Sequence, residues 1–260
     1  LKQAPAQVLR CAARARGGGA GDPRSTEPMN VTDAVLQRRT WRGFRAEPLP
    51  LEVVSELLTT AARAPSGGNT QPWHLYVLTG EKLAGLTQAA MEYLGKRVQA
   101  KPDYLVYPGK DALTPEMYSA YMSRRMRVAQ EMWALMGVDR SDKAARLQAL
   151  LENYSWWGAP VGVIVTVDRA ADKNAWGHTG MLLQTIALLA EERGLGTAFL
   201  EAWGNLGSCV YDALGIPDTE VVWCGLALGY PDLEKKINTL RTERLAVGDF
   251  CRFEGFPSKL

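Results

Sequence analysis

The sequence predicts an α+β protein of layered architecture, on three observations. Two apolar, β-branched runs, 161–167 (VGVIVTV) and 221–228 (VVWCGLAL), have the composition of buried strands. Between them lies a long helical pattern, 175–193, apolar on several faces through Met181, Leu182, Leu183, Ile186, Leu188 and Leu189, which places it centrally. No G-x-G-x-x-G follows a strand and no P-loop occurs, which disfavours a nucleotide-binding doubly wound sheet. The order helix, helix, strand, helices, strand, helix, strand, helix, strand, tail then reads as helices layered on a sheet.

Residues 1–28 stand apart. Lys2, Arg10, Arg14 and Arg16 precede the first acid, Asp22, and Gly17-Gly18-Gly19 follows them. This segment is expected to be a disordered leader or upstream extension. Residues 29–260 are expected to form a single domain. Within it, 31–37 reads as a short helix with Thr32 as its cap. A second helix over 50–63 starts on a proline and sets Leu51, Val54, Leu58 and Ala61 on one face. Strand 73–79 follows, and Gly80 turns the chain into a third helix.

The block at about 100–155 is broken at Pro102 and Pro108 and then helical over 115–136 and 139–153. Its Met and aromatic stripe (Tyr118, Met122, Met126, Met132, Trp133) has helical spacing and suits either core packing or a pocket wall. Trp156-Trp157-Gly158-Ala159-Pro160 closes it ahead of the 161–167 strand. After the central helix, Gly194 and Gly196 terminate it and 197–200 forms a short strand. Asn205 is expected to cap a helix that stops at Gly215. Gly229-Tyr230-Pro231-Asp232 turns the chain out into a polar, extended tail carrying Phe250, Phe253 and Phe256.

Composition narrows the function. Hydrophobic residues make up 47% and charged residues 22%, an ordinary globular balance. A net charge of +2 gives no nucleic-acid surface. No apolar run reaches the roughly 18 residues of a membrane span, so neither nucleic acid nor membrane is an expected partner. The four cysteines share no short spacing and read as buried or incidental thiols of a reducing, cytoplasmic protein. His74 and His178 are the only histidines, and neither has a second ligand at metal-binding spacing. No metal site is expected, and a histidine-based hydrolase is disfavoured.

Two clusters carry chemistry. In Arg38-Arg39-Thr40-Trp41-Arg42, three guanidiniums fall within five residues. They form either a solvated basic turn or a clamp whose planar forks match phosphate oxygens, with the Thr40 hydroxyl as a further donor. The run Ala64-Pro65-Ser66-Gly67-Gly68-Asn69-Thr70-Gln71-Pro72-Trp73-His74 holds more small and amide residues than a chain reversal needs. Gly67 and Gly68 let backbone N–H groups approach a ligand closely. Asn69 offers both donor and acceptor to a heterocycle edge. The same residues also serve plain turns.

Together these two segments resemble the paired signatures of FMN-dependent nitroreductases, in sequence and in spacing, and the likeness points to the nitrobenzoate-reductase-like members. Gly194-Leu195-Gly196-Thr197, Leu200-Glu201-Ala202, and Gly229-Tyr230-Pro231-Asp232 with Asn238, Arg241 and Arg244 beyond it extend the resemblance over about residues 30 to 255. It implies a three-layer α/β/α fold with a central mixed, mainly antiparallel sheet, in an intertwined homodimer with FMN at the subunit interface. Arg38, Arg39, Thr40 and Arg42 would hold the FMN phosphate and ribityl chain, joined by Arg241 and Arg244. Pro65, Ser66, Gly67 and Asn69 would reach the flavin of the partner subunit. Leu200, Glu201 and Ala202 would lie beside the central ring. NADPH or NADH would serve as transient electron donor and a nitroaromatic or quinone-like molecule as acceptor, in ping-pong order. No protein side chain is implied as a catalyst, because the cofactor carries the electrons. The helical block would act as a lid, with Tyr118, Tyr121 and Trp133 as candidates for stacking on the acceptor. The same fold also supports reductive dehalogenation, flavin breakdown and non-enzymatic FMN binding.

Overall fold

The computed structural model describes residues 29–96, 102–107, 109–171 and 173–256. The expected leader, 1–28, lies outside the described residues. Among the described residues, four strands form one sheet: β1 (Trp73–Thr79), β2 (Val161–Asp168), β3 (Gly196–Leu200) and β4 (Glu220–Gly229). Their order is β1-β2-β4-β3, and every pairing is antiparallel. The mixed character enters at the edge, where Thr40 makes a parallel bridge to Thr197 of β3.

Among the described residues, seven α-helices accompany the sheet: α1 (Val31–Gln37), α2 (Leu51–Ala61), α3 (Gly80–Gly95), α4 (Pro115–Met136), α5 (Lys143–Leu151), α6 (Lys173–Glu192) and α7 (Ser208–Leu214). On one face of the sheet, Val161, Val163 and Val165 of β2 and Leu226 and Leu228 of β4 pack with Val54, Leu57 and Ala61 of α2 and Leu182, Leu183 and Ile186 of α6. On the other, Ile164, Val222 and Ala227 pack with Leu83, Leu86 and Ala90 of α3, with Val210 of α7, and with Trp156 and Trp203. Helices therefore cover both faces, giving three layers. Glycine is required where the two stacked indoles (ring centroids 4.5 Å apart) press on the sheet. A Cβ at Gly225 would stand 2.4 Å from Trp203 Cδ1.

The strand register breaks once, between Val165 and Thr166, where Trp223 is the extra residue on β4. A bulge reverses the in-out alternation of its strand. Val222 consequently faces one core while Cys224 faces the other.

Four local expectations are corrected. Asn30 caps α1, not Thr32: its extended backbone lets Oδ1 accept the Asp33 N–H at 2.9 Å, whereas Thr32 already lies inside the helix. On α2 the buried stripe is Val54, Leu57 and Ala61, while Leu51 in the first turn is 76% exposed. Asn205 ends the 3₁₀ turn Glu201–Asn205, and Gly207, at φ 39°, precedes α7. The tail is also more ordered than an extended strand, with short turns at Lys236–Thr239 and Val247–Asp249.

Candidate functional site

The basic segment following α1 is fastened to the sheet edge. Trp41 N–H donates to the Thr197 carbonyl (3.0 Å) and Arg45 N–H to that of Tyr230 (2.9 Å). Gly196 makes room for the Trp41 ring, since a Cβ there would meet Trp41 Cδ1 at 2.6 Å. Asn238 pins the tail to the same segment. Buried to 3% exposure, it accepts the Arg42 N–H at 2.6 Å and donates to the carbonyls of Gly43 (2.9 Å) and Asp232 (2.7 Å). Its own carbonyl accepts Arg39 Nη1 at 2.8 Å.

This stitching brings separate stretches of cations together. Arg241 donates to the Gln37 carbonyl at the end of α1 (2.8 Å) and faces Arg39 closely enough to repel it, as Arg244 does Arg38. Burial, helped by those neighbours, lowers the pKa of Arg38 and Arg39. Burial alone lowers that of Arg42 to about 10. Among the described residues, none of these five guanidiniums is ion-paired with a carboxylate. Arg38 Nε and Arg39 Nε are buried and have no hydrogen-bond partner among the described residues. Buried cationic donors left unpaired are costly, so the cluster has the character of a receptor for an anion.

At the far end of β3, Leu200 is buried and the chain enters the Glu201–Asn205 turn. Glu201 lines a cavity of about 240 Å³ with Gly180, Gln184, Phe199, Trp223 and Cys224, the last two set there by the bulge. Burial raises the Glu201 carboxyl above the ordinary range, and burial with the Glu201 charge raises the Cys224 thiol. Neither is a ready nucleophile.

The 65–73 loop is an exposed, left-handed kink: Gly68, Asn69 and Gln71 have φ of 60°, 57° and 48°. Ser66 Oγ closes it by accepting the Gln71 N–H (3.0 Å). Gly67 N–H donates to Nε2 of His178 on α6 (3.1 Å), a contact without a signal in the sequence. His178 and Glu191 lie 13 residues apart on α6, about 20 Å at 1.5 Å per residue. The loop and the guanidinium cluster of one chain thus sit at opposite ends of this helix.

In the helical block, Tyr118 and Tyr121 share a cavity of about 220 Å³ with Tyr107, Met122, Arg124 and Arg125. Trp133 is not part of it. It lies three turns further along α4, under the guanidinium of Arg146. No residue of α4 is fully buried. Among the described residues, no helix is long and apolar enough to cross a membrane. No cluster of His, Cys, Asp and Glu there suits a metal ion, and Cys209, Cys224 and Cys251 are free thiols.

The sequence profile of the nitroreductase family matches residues 35–230, so the chain belongs to that family. Among curated relatives, the chloronitrobenzene nitroreductase of Comamonas testosteroni is 33% identical over 88% of this chain and 98% of its own length. The 4-nitrobenzoate reductase of Pseudomonas putida is 34% identical over 86% and 96%. Among solved structures, an FMN and NADPH-dependent nitroreductase from sphigopyxis sp. strain HMH superimposes with a TM-score of 0.82 at 31% identity, covering 88% of this chain and all of its own.

Proposed function

We propose that the protein is a homodimeric flavoenzyme that uses FMN to pass electrons from NADPH or NADH to nitroaromatic or quinone-like acceptors. The observation that carries this reading is the convergence of Arg38, Arg39, Arg42, Arg241 and Arg244 with two buried Nε donors unpaired. The terminal phosphate of FMN carries nearly two negative charges and several acceptor oxygens, the complement these donors lack. The family and the FMN-dependent relative agree with it.

The residues divide the work by position. Arg38, Arg39, Arg241 and Arg244 fit the phosphate, with the Thr40 hydroxyl and Arg42 toward the ribityl chain. Leu200, Glu201 and Ala202, where β3 ends, would support the ring system. Pro65, Ser66, Gly67 and Asn69 would close over the flavin of the partner subunit, which suits a loop exposed at the opposite end of α6 from its own clamp. Exposed apolar side chains on α1 (Val31, Val35, Leu36), α6 (Met181) and the tail (Leu245, Val247, Phe250, Phe253, Phe256) supply a surface for that partner. When bound, FMN would supply the redox chemistry between the nicotinamide and the acceptor, held and oriented by the residues of the clamp, the β3 end and the loop. The 100–155 block would act as the lid, and Tyr118 and Tyr121 offer aromatic faces to the acceptor.

The test is a pair of half-reactions under anaerobic conditions. NADPH or NADH should bleach the flavin absorbance of the purified protein, and 4-nitrobenzoate or a benzoquinone should restore it. A flavin that neither nucleotide bleaches would reduce the protein to a flavin carrier. A flavin that is reduced but reoxidised by neither acceptor would move the reaction to another class.

A further inference from the structure

We propose that Glu191 is the resident counter-anion of the guanidinium clamp: it gathers the arginines before a ligand arrives and then opposes the ligand's phosphate. This rests on the flavin reading above. Glu191 occupies the last turn of α6, where the helix dipole disfavours an anion, so its place needs another cause. The surroundings provide one. Its Oε2 accepts the Trp41 indole N–H at 3.3 Å. The Trp41 ring in turn lies under the Arg39 guanidinium, 4.3 Å from its centroid. Arg38, Arg39 and Arg241 all act on the carboxylate electrostatically. These are the charged groups that face it from the segment after α1 and from the tail. On its own helix, the neighbouring Glu192 is paired with Arg193 at 3.6 Å.

The carboxylate is near the arginines without being ion-paired to them. That geometry distinguishes a field-setting anion from a salt-bridge partner. It offsets the mutual repulsion of the cations, yet takes up none of their hydrogen-bond donors, and Arg38 Nε and Arg39 Nε stay unpartnered for phosphate oxygens. Burial raises the Glu191 carboxyl, against the lowering effects of the Trp41 hydrogen bond and of Arg39, Arg241 and Arg38. A phosphate dianion entering the same cluster adds repulsion and raises it further.

The experiment compares FMN with riboflavin, which has the same ring and no phosphate, on cofactor-stripped protein by calorimetry at pH 7.5. Glu191→Gln keeps the acceptor for Trp41 and removes only the charge. It should raise FMN affinity about 5-fold, the scale of one partly screened unit charge, and leave riboflavin affinity unchanged. Unchanged or weakened FMN binding relative to riboflavin in the variant, with FMN still bound by the wild type, overturns the role of Glu191 alone. A wild type that binds neither flavin overturns the flavin reading itself. If Glu191→Gln does not fold, Glu191→Asp, which withdraws the charge by one methylene, carries the same comparison. A smaller gain for FMN over riboflavin supports the role, and no gain overturns it.

Discussion

Asn238 holds the candidate site together, and its replacement by alanine has a cost that follows from its contacts. The side chain makes three hydrogen bonds, to the Arg42 N–H and to the carbonyls of Gly43 and Asp232. At about 1 kcal/mol net each, they amount to roughly 3 kcal/mol. The Gly43 carbonyl keeps the Asp232 N–H (3.0 Å), but the part-buried Arg42 N–H has no other acceptor among the described residues, and stranding it adds about 1–2 kcal/mol. Asn238→Ala should therefore destabilise the cofactor-free protein by about 3–5 kcal/mol. For a domain of this size that corresponds to a fall in Tm of roughly 8–15 °C. Asn238→Asp should be no better, because a carboxylate would face two carbonyl oxygens in place of two amide bonds. Urea denaturation followed by tryptophan fluorescence measures both. A loss below about 1 kcal/mol for Asn238→Ala would refute the claim that this residue fastens the tail to the arginine segment.

Other perturbations separate the site's parts. Arg38→Ala should weaken FMN binding by about 1.5–3 kcal/mol, the scale of a charge-assisted hydrogen bond, as read by flavin fluorescence quenching; unchanged affinity would remove Arg38 from the clamp. Gly67→Val should lower flavin content while leaving dimerisation intact, since a Cβ there already meets His178 Cε1 at 3.1 Å; loss of folding instead would make the loop structural, as size-exclusion chromatography with flavin quantification would reveal. Tyr76 donates to the buried Glu220 carboxylate, and burial together with that acid raises its pKa from 10.0 to about 12. A raised folded pKa means stability present below the unfolded value and lost as pH climbs through the folded one. The wild type should thus lose stability between about pH 10 and 12 by more than Tyr76→Phe does, and parallel stability–pH curves for the two would contradict the assignment.

The elements were legible where the pattern was local. Strand 73–79 and helix 115–136 coincide with β1 and α4, because β-branched and aromatic runs or a proline-started helical stripe fix them without tertiary help. Helix starts were less legible: Asn30 and Thr32 are both good caps, and only the backbone angles decide between them. The bulge at Trp223 left no trace in the sequence, since every residue around it is apolar. At the site, Arg38, Arg39 and Arg42 were conspicuous as a cluster, but Glu191 and His178 were not. Each lies singly on a long helix, more than 100 residues from the segment it contacts, and acquires meaning only from folding. Trp133, grouped with Tyr118 and Tyr121 by its place in one aromatic-rich helix, falls outside their cavity because α4 is long enough to separate them.

The central claim is that a guanidinium clamp holds the phosphate of a flavin. The most direct measurement is the ratio of FMN to riboflavin affinity on the stripped protein. One FMN per chain, bound at least about 100-fold more tightly than riboflavin, is the expected result, given several charge-assisted hydrogen bonds at about 1.5–3 kcal/mol each. Equal affinities, or a colourless protein that takes up neither, would contradict it.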